Sequence, residues 1–292
     1  MWQSPPALLV SSGPVLYCVA GANVNRIVLL AKGNVDVHDS LHSCRIGGQL
    51  QWNGINELIR KRGDCIARLR HETWTRSDAV LEATGVIPTE ITERSLPLGT
   101  YPAASQFGTT LFDTDADVVV FSILGDTATT LYRHKEEGYL FYPANSDTWS
   151  PENRQWLRNN FERGELLGVS QSMEKFANII ARVRARRDVP ILVYNASSVI
   201  PGEGVHNYQG LDETYATRCK RFNLALVSLS KETGISIVDV DTIIARSGAD
   251  RLKLDAMHLT AEGYRLVAEE VVRVLADLGT LPSSESGSCA PV

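Results

Sequence analysis

Residues 26–34 read Arg26-Ile27-Val28-Leu29-Leu30-Ala31-Lys32-Gly33-Asn34, a continuous apolar run closed by turn-forming residues. A run without alternating polar side chains is typical of a strand buried on both faces of a parallel sheet. Three later runs have the same character, namely Val118 to Ile123, Ile191 to Tyr194 and Ile235 to Val240. The sequence therefore predicts four core strands, each of which needs cover on both faces.

Helical patterns separate and follow these strands. Ser150-Pro151-Glu152 predicts a helix that ends near Phe161, because serine can cap a helix and proline fits its first position. Apolar residues at three- and four-residue spacing predict three more helices, over residues 173–183, 212–233 and 260–278. Gly234 and Gly279 mark the ends of the last two. Strands that alternate with helices form βαβ units, so we expect a three-layer α/β/α sandwich with a mostly parallel sheet.

We expect this single α/β domain to cover residues 26–280. Residues 1–25 are interpreted as an N-terminal extension, because the apolar stretch from Ala7 to Ala20 is short, contains Pro14 and has no preceding Lys or Arg, unlike a signal peptide. Residues 281–292 are rich in Ser and poor in apolar residues, which predicts a disordered tail.

Composition excludes several classes of protein. The 292 residues include 29 Lys and Arg against 34 Asp and Glu, which gives a net charge of −5. The basic residues are scattered among carboxylates and form no cationic cluster that would bind nucleic acid. The sequence contains no run of about 20 apolar residues, the length that a membrane-spanning helix requires. Five cysteines without a C-x-x-C pair favour the reducing cytoplasm and no zinc site. We expect a small-molecule substrate, no nucleic acid or membrane partner and no cofactor; the oligomeric state stays open.

The predicted topology indicates where to look for chemistry. In parallel α/β sheets, ligands bind outside the carboxyl ends of the strands, which here are the loops after Leu30, Ile123, Tyr194 and Val240. Asp255 and His258 lie between the last strand and the last helix, three residues apart. A carboxylate at this spacing can accept a hydrogen bond from one ring nitrogen and leave the other free as a base.

The block Asp255-Ala256-Met257-His258-Leu259-Thr260-Ala261-Glu262-Gly263-Tyr264 resembles the last sequence block of the SGNH/GDSL hydrolases. The resemblance implies a flavodoxin-like fold and a serine nucleophile after the first strand. Asp39-Ser40-Leu41 is similar to the family's Gly-Asp-Ser-Leu element, which implies a triad of Ser40, Asp255 and His258. The implied activity is cleavage of an ester or O-acetyl group through an acyl-enzyme, with acyl transfer as the alternative and no metal or cofactor.

The match departs from the family pattern at the oxyanion site. The family places a Gly before Asp-Ser, where this chain has His38. The family's second oxyanion donor corresponds in this chain to Gly47-Gly48 or to Gly54, and the sequence spacing does not distinguish the two. The family's third block carries an Asn, whereas this chain reads Gly125-Asp126-Thr127. The carboxylate of Asp126 would repel the developing charge, so either Thr127, Asn53 or a backbone N–H substitutes, or hydrolysis is slow, or the enzyme catalyses a reaction other than ordinary ester cleavage.

Three further interpretations stay open. Arg133 or His134 could bind an anionic part of a substrate, and the long loop from Pro201 to Gly210 could cover the site. A metal-dependent hydrolase is an alternative, since His38 and His42 have the spacing that places two imidazoles on one helix face. Its other candidate ligands are Asp36, Asp39, Asp126, His134 and Asp255. A non-catalytic descendant that only binds a ligand is the third.

Overall fold

A computed structural model describes residues 25–46, 48–201, 208 and 211–281 of the chain. The predicted N-terminal extension up to residue 24, the tail from residue 282, Gly47 and most of the loop after Pro201 lie outside the described residues.

The described residues form ten strands and twelve α-helices. The strands are β1 (Asn25–Gly33), β2 (Cys44–Ile46), β3 (Gln49–Trp52), β4 (Cys65–Thr73), β5 (Val118–Ser122), β6 (Tyr132–His134), β7 (Leu140–Phe141), β8 (Phe161–Arg163), β9 (Ile191–Tyr194) and β10 (Ser236–Val238). The helices are α1 (Val35–Leu41), α2 (Asn56–Ile59), α3 (Ser77–Glu82), α4 (Thr89–Thr92), α5 (Ala103–Gln106), α6 (Leu124–Ala128), α7 (Pro151–Asn160), α8 (Val169–Arg186), α9 (Tyr215–Thr233), α10 (Val240–Ser247), α11 (Ala249–Leu252) and α12 (Ala261–Asp277).

The central sheet has five strands in the order β4-β1-β5-β9-β10, and every neighbouring pair is parallel. β4, the second of these strands in the sequence, pairs with one side of β1 and forms an edge of the sheet. β5, β9 and β10 follow in sequence order on the other side of β1, as in flavodoxin-like sheets. The four predicted strands are β1, β5, β9 and β10. Edge strand β4 was not predicted, because its apolar residues alternate with Arg68, Arg70 and Glu72.

Helices cover both faces of the sheet. Alternate residues of a strand point to opposite faces, so Leu29 belongs to one buried cluster and Leu30 to the other. Helices α1 and α12 contribute to the first cluster, and α8 and α9 to the second. The predicted three-layer α/β/α sandwich with a parallel sheet is confirmed.

Three predicted helix-end signals agree with the structure, whereas α8 extends beyond residues 173–183 at both ends and α9 begins at Tyr215, after residue 212. The Ser150 hydroxyl accepts the Asn153 N–H at 3.2 Å, with Pro151 in the first helical position of α7. Gly234 ends α9 in the left-handed region, with φ 66°. Thr260 caps α12, where its hydroxyl accepts the Gly263 N–H at 3.3 Å.

Segments between the core elements build two smaller sheets. β2 and β3 form an antiparallel hairpin, and β7-β6-β8 form a three-stranded antiparallel sheet. The latter contributes Tyr132 and Arg163 to the wall of the cleft described below. Within the described ranges, no helix has the length and apolar character that a membrane span requires.

Candidate active site

A cleft of about 1230 Å³ opens at the carboxyl end of the central sheet. Its lining includes Asn34 and Val35, which follow β1, and Leu124, which lies two residues after β5. His258 lines it from the loop before α12. This is the position at which parallel α/β sheets bind ligands.

Asp255 and His258 form a hydrogen-bonded pair at this cleft. The Asp255 carboxylate accepts a hydrogen bond from the Nδ1 of His258 at 2.7 Å through one oxygen. Its other oxygen accepts the backbone N–H groups of Met257 and His258, each at 2.8 Å. A carboxylate can only accept, so the Nδ1 carries the proton and the Nε2 presents a lone pair. The structure places these two side chains in direct contact.

The electrostatics of the pair favour an ionised carboxylate. Partial burial raises the pKa of Asp255, but hydrogen bonds from the His258 and Met257 N–H groups and from the imidazole outweigh it, and the pKa lies below its usual value. The imidazole is half exposed, and its Nε2 makes no hydrogen bond to any residue that the structure describes. The pair is arranged as a general base open to the cleft.

Ser40 does not share this location. It lies in the second turn of α1 and has no accessible surface. Its hydroxyl lies 2.7 Å from the carbonyl oxygen of Asp36, 3.1 Å from that of Val37 and 3.0 Å from the Tyr194 hydroxyl. None of its hydrogen bonds reaches His258, and Ser40 does not line the cleft. The structure therefore brings together two members of the predicted triad and leaves the third in the core.

Helix periodicity explains the position of Ser40. The buried face of α1 consists of Asp36, Val37, Ser40 and Leu41, at the i, i+1, i+4 and i+5 positions. The opposite face, with Val35, His38 and Asp39, lines the cleft. The chain turns from β1 into α1 at Gly33 and Asn34, six residues before Ser40, so the serine cannot occupy that turn.

The turn itself supplies two cleft residues that the sequence analysis did not single out. Val35 begins α1 and has no nucleophilic atom. Asn34 precedes it, and its side-chain amide makes no hydrogen bond to the described residues, with its oxygen buried. A Cβ on Gly33 would lie 2.3 Å from a methyl group of Val37, which favours glycine at this position. Asn34 directly follows a predicted strand, and this position is the signal that could have identified it.

A cluster of three imidazoles lies beside this turn. The rings of His38 in α1 and His42, which directly follows α1, stack at 5.0 Å, and the ring of His71 of β4 lies 5.0 Å from that of His38. The Nδ1 of His38 is 2.7 Å from the Asp39 carboxylate. Burial, and then the charges of His38 and His42, lower the pKa of His71 to about 4. These residues do not form a group of metal-ligating atoms in the structure.

The described part of the chain has one group of potential metal ligands whose donor atoms lie within 4.8 Å of one another, namely Glu90, His134 and Glu137. His134 is buried in β6, where its Nε2 contacts Glu90 at 3.0 Å and its Nδ1 accepts the Glu137 N–H at 3.0 Å. Both ring nitrogens are therefore already engaged. Neither His134 nor its neighbour Arg133, which pairs with Glu82 at 3.1 Å, lines the cleft.

The predicted oxyanion residues also lie away from the cleft lining. Asp126 is fully buried and accepts hydrogen bonds from Ser77 and Ser172, and burial raises its pKa to about 6 against the opposing effect of these bonds. Buried Thr127 contacts the Leu124 carbonyl oxygen at 2.7 Å and the Tyr215 hydroxyl at 3.0 Å. Both residues serve the core.

The hairpin candidates are placed in the same way. Gly48 lies in the exposed turn between β2 and β3, and Asn53 is exposed beyond β3. Gly54 is buried with φ 91°, and a Cβ there would lie 1.7 Å from the His42 carbonyl oxygen. None of the three residues lines the cleft. Glycine is needed at position 54 because the backbone at His42 passes too close to leave room for a side chain.

Comparisons with known proteins find solved structures of low similarity to this chain. No protein-family model and no curated protein matches the chain. Solved structures similar to it include an acetyl xylan esterase, with 11% identity, a TM-score of 0.49 and coverage of 85% of this chain and 100% of that one. A lipase/acylhydrolase from Enterococcus faecalis has 10% identity, a TM-score of 0.48 and coverage of 89% and 98%. A member of the lipolytic protein G-D-S-L family from Veillonella parvula has 10% identity, a TM-score of 0.44 and coverage of 85% and 98%. These likenesses assign no residue of this chain a role.

Proposed function

We propose that this protein hydrolyses an ester or O-acetyl group of a small molecule in the cleft, with His258 as general base and Asp255 as its orienting partner. The observation that carries the proposal is the 2.7 Å contact that fixes the imidazole tautomer while its Nε2 stays free at the cleft. A general base positioned in this way contributes on the order of 10²–10⁴ to the rate.

The attacking group in this proposal is a water molecule. His258 Nε2 takes a proton from the water, whose oxygen bonds to the acyl carbon and forms a tetrahedral oxyanion. The imidazolium, supported by Asp255, then gives the proton to the alcohol oxygen as the ester C–O bond breaks, which yields acid and alcohol. The side-chain amide of Asn34 is the cleft donor that we assign to the oxyanion, a contribution of about 3 kcal/mol to the barrier.

The acyl-enzyme route through Ser40 stays a prediction that the arrangement does not favour. Ser40 would have to leave its contacts with two carbonyl oxygens and with Tyr194, and the buried partner left behind would cost about 1–3 kcal/mol. It would also have to rotate from the buried to the open face of α1. Acyl transfer to an alcohol or amine would use the same base, since an acceptor hydroxyl or amine can replace the attacking water.

A ligand-binding protein without catalysis is the second candidate function. The observation that favours it is Val35, a side chain without chemistry at the point where the turn after β1 meets the cleft. A binding protein would keep the cleft but turn over no ester.

Fluorophosphonate labelling together with ester turnover separates these functions. We expect the protein to hydrolyse short p-nitrophenyl esters, Ser40→Ala to keep that activity, and no fluorophosphonate adduct to form on Ser40. An adduct on Ser40 that disappears in His258→Gln would replace the water mechanism by the acyl-enzyme. Absence of turnover across acetyl to butyryl esters, with a small molecule retained by the cleft, would favour the binding protein.

A further inference from the structure

Lys253 is a buried cation that the proposed chemistry does not use. Its side chain is 5% exposed, and it immediately follows α11, ahead of the loop that carries Asp255 and His258. Burial lowers its pKa to about 8. Within the described chain, Lys253 forms no salt bridge, and the charges of Asp255 and Asp241 favour its charged form from beyond ion-pair distance. Burying a cation is costly unless its protons find acceptors.

The acceptors of Lys253 are two backbone carbonyl oxygens. The ammonium donates to the carbonyl of Ala256 at 2.8 Å and to that of Val199 at 2.9 Å. Ala256 follows Asp255 directly, at the tip of the loop. Hydrogen bonds from an ionised donor are roughly twice as strong as neutral ones. The ammonium therefore holds the backbone at the residue from which the carboxylate points to His258.

The base of this loop is closed by backbone pairing. Lys253 and Leu259 form an antiparallel bridge, and the N–H of Leu254 donates to the His258 carbonyl at 2.9 Å. The pairing fixes the two ends of the loop but makes no contact with its tip at Ala256. The Lys253 side chain supplies that contact from inside the loop.

The second acceptor ties the loop to the sheet. Val199 belongs to the segment that follows β9, and its carbonyl oxygen also accepts a hydrogen bond from the Ser197 hydroxyl at 3.2 Å. Ser198 is held in turn by Asp241, which accepts its N–H at 2.6 Å and its hydroxyl at 2.9 Å. Lys253 thus connects the tip of the loop to a segment that is itself fixed at the carboxyl end of the sheet.

We infer that Lys253 is a positioning residue for the Asp255–His258 pair, because its ammonium group joins the loop that carries the pair to the segment after β9. This role rests on the proposed function in so far as the pair is catalytic. Lys253 itself does not line the cleft, so it acts through the pair.

The test compares Lys253→Met, which keeps the apolar stem without donors, with Lys220→Met, which changes an exposed lysine. Protein labelled with ¹⁵N-histidine reports the His258 tautomer directly. In the unaltered protein and in Lys220→Met we expect the Nδ1–H form. In Lys253→Met we expect that form to give way to a mixture, with kcat lower by about 10- to 100-fold and KM within about twofold.

A folded Lys253→Met with an unchanged His258 spectrum and unchanged kcat would overturn the inference. Lys253→Leu, which also lacks donors, serves if the Met variant does not fold, and the same comparison applies to it. The ¹⁵N spectrum of the Lys253 ammonium in unaltered protein needs no variant: protection from solvent exchange supports the role, and free exchange contradicts it. If the protein cleaves no ester, the His258 spectra still decide the positioning role, so failure of the proposed function is separable from failure of this inference.

Discussion

Asp255→Asn changes the protonation of His258 while it keeps nearly every atom in place. The asparagine oxygen can still accept the N–H groups of Met257 and His258, which Asp255 now accepts at 2.8 Å. The amide nitrogen then faces the Nδ1 of His258 across the 2.7 Å contact and donates to it. The proton must therefore move to Nε2, and the imidazole can no longer accept a proton from water.

The magnitude follows from what is lost and what is kept. We expect kcat/KM to fall on the order of 10²–10⁴, the contribution of a positioned general base. The side chains of Asp255 and His258 are 56% and 50% exposed, so solvent screens their attraction and we expect the free energy of unfolding to change by less than about 1 kcal/mol. Ester hydrolysis, the ¹⁵N-histidine spectrum and urea unfolding measure the three effects. Asp188→Asn, at a carboxylate that is 93% exposed, is the matched control. Activity of Asp255→Asn within threefold of the unaltered protein would refute the reasoning.

Three further variants test the rest of the account. Ser40→Ala should keep ester hydrolysis within about threefold and lower the free energy of unfolding by about 1–3 kcal/mol, because Tyr194 loses a buried partner; loss of activity in a folded protein would restore Ser40 as nucleophile. Burial raises the pKa of Asp126 to about 6, so its stabilising contribution is complete below its unfolded pKa near 4 and is lost as the pH rises through 6. The unaltered protein should therefore lose up to about 3 kcal/mol relative to Asp126→Asn between pH 4 and pH 7.5 in urea unfolding, and parallel pH profiles would contradict this. Gly54→Ala should lower the melting temperature and lower the free energy of unfolding by about 1–3 kcal/mol, because the new Cβ would clash with the His42 carbonyl oxygen and residue 54 has a positive φ. An unchanged melting temperature would be inconsistent with that packing.

The sequence allowed the parallel core and its helices to be predicted because burial on both faces leaves a plain signal. β1, β5, β9 and β10 are almost uninterrupted apolar runs, and helix ends such as Ser150 and Gly234 carry their own local chemistry. Edge strand β4 lacks that signal, since only one of its sides is paired with β1 and charged residues alternate along it.

The candidate site was predicted in part for a similar reason. Asp255 and His258 are close in sequence, so their pairing depends on one short loop. Ser40 was chosen because Asp39-Ser40-Leu41 resembles a family element, but α1 begins at Val35, earlier than a turn at Asp39-Ser40 would require. One shift of helical phase moves a side chain from the cleft to the core. The roles expected for Asp126 and Thr127 depended on tertiary packing against Ser77, Ser172 and Tyr215, which no local pattern records.

The rate of ester hydrolysis by the unaltered protein and by His258→Gln tests the central claim most directly. Glutamine can contact Asp255 through its amide but cannot accept a proton at neutral pH. With short p-nitrophenyl esters at pH 7.5, we expect hydrolysis by the unaltered protein and a rate at least about 100-fold lower for the folded variant. Equal rates for the two proteins would show that the Asp255–His258 pair is not the base of this cleft.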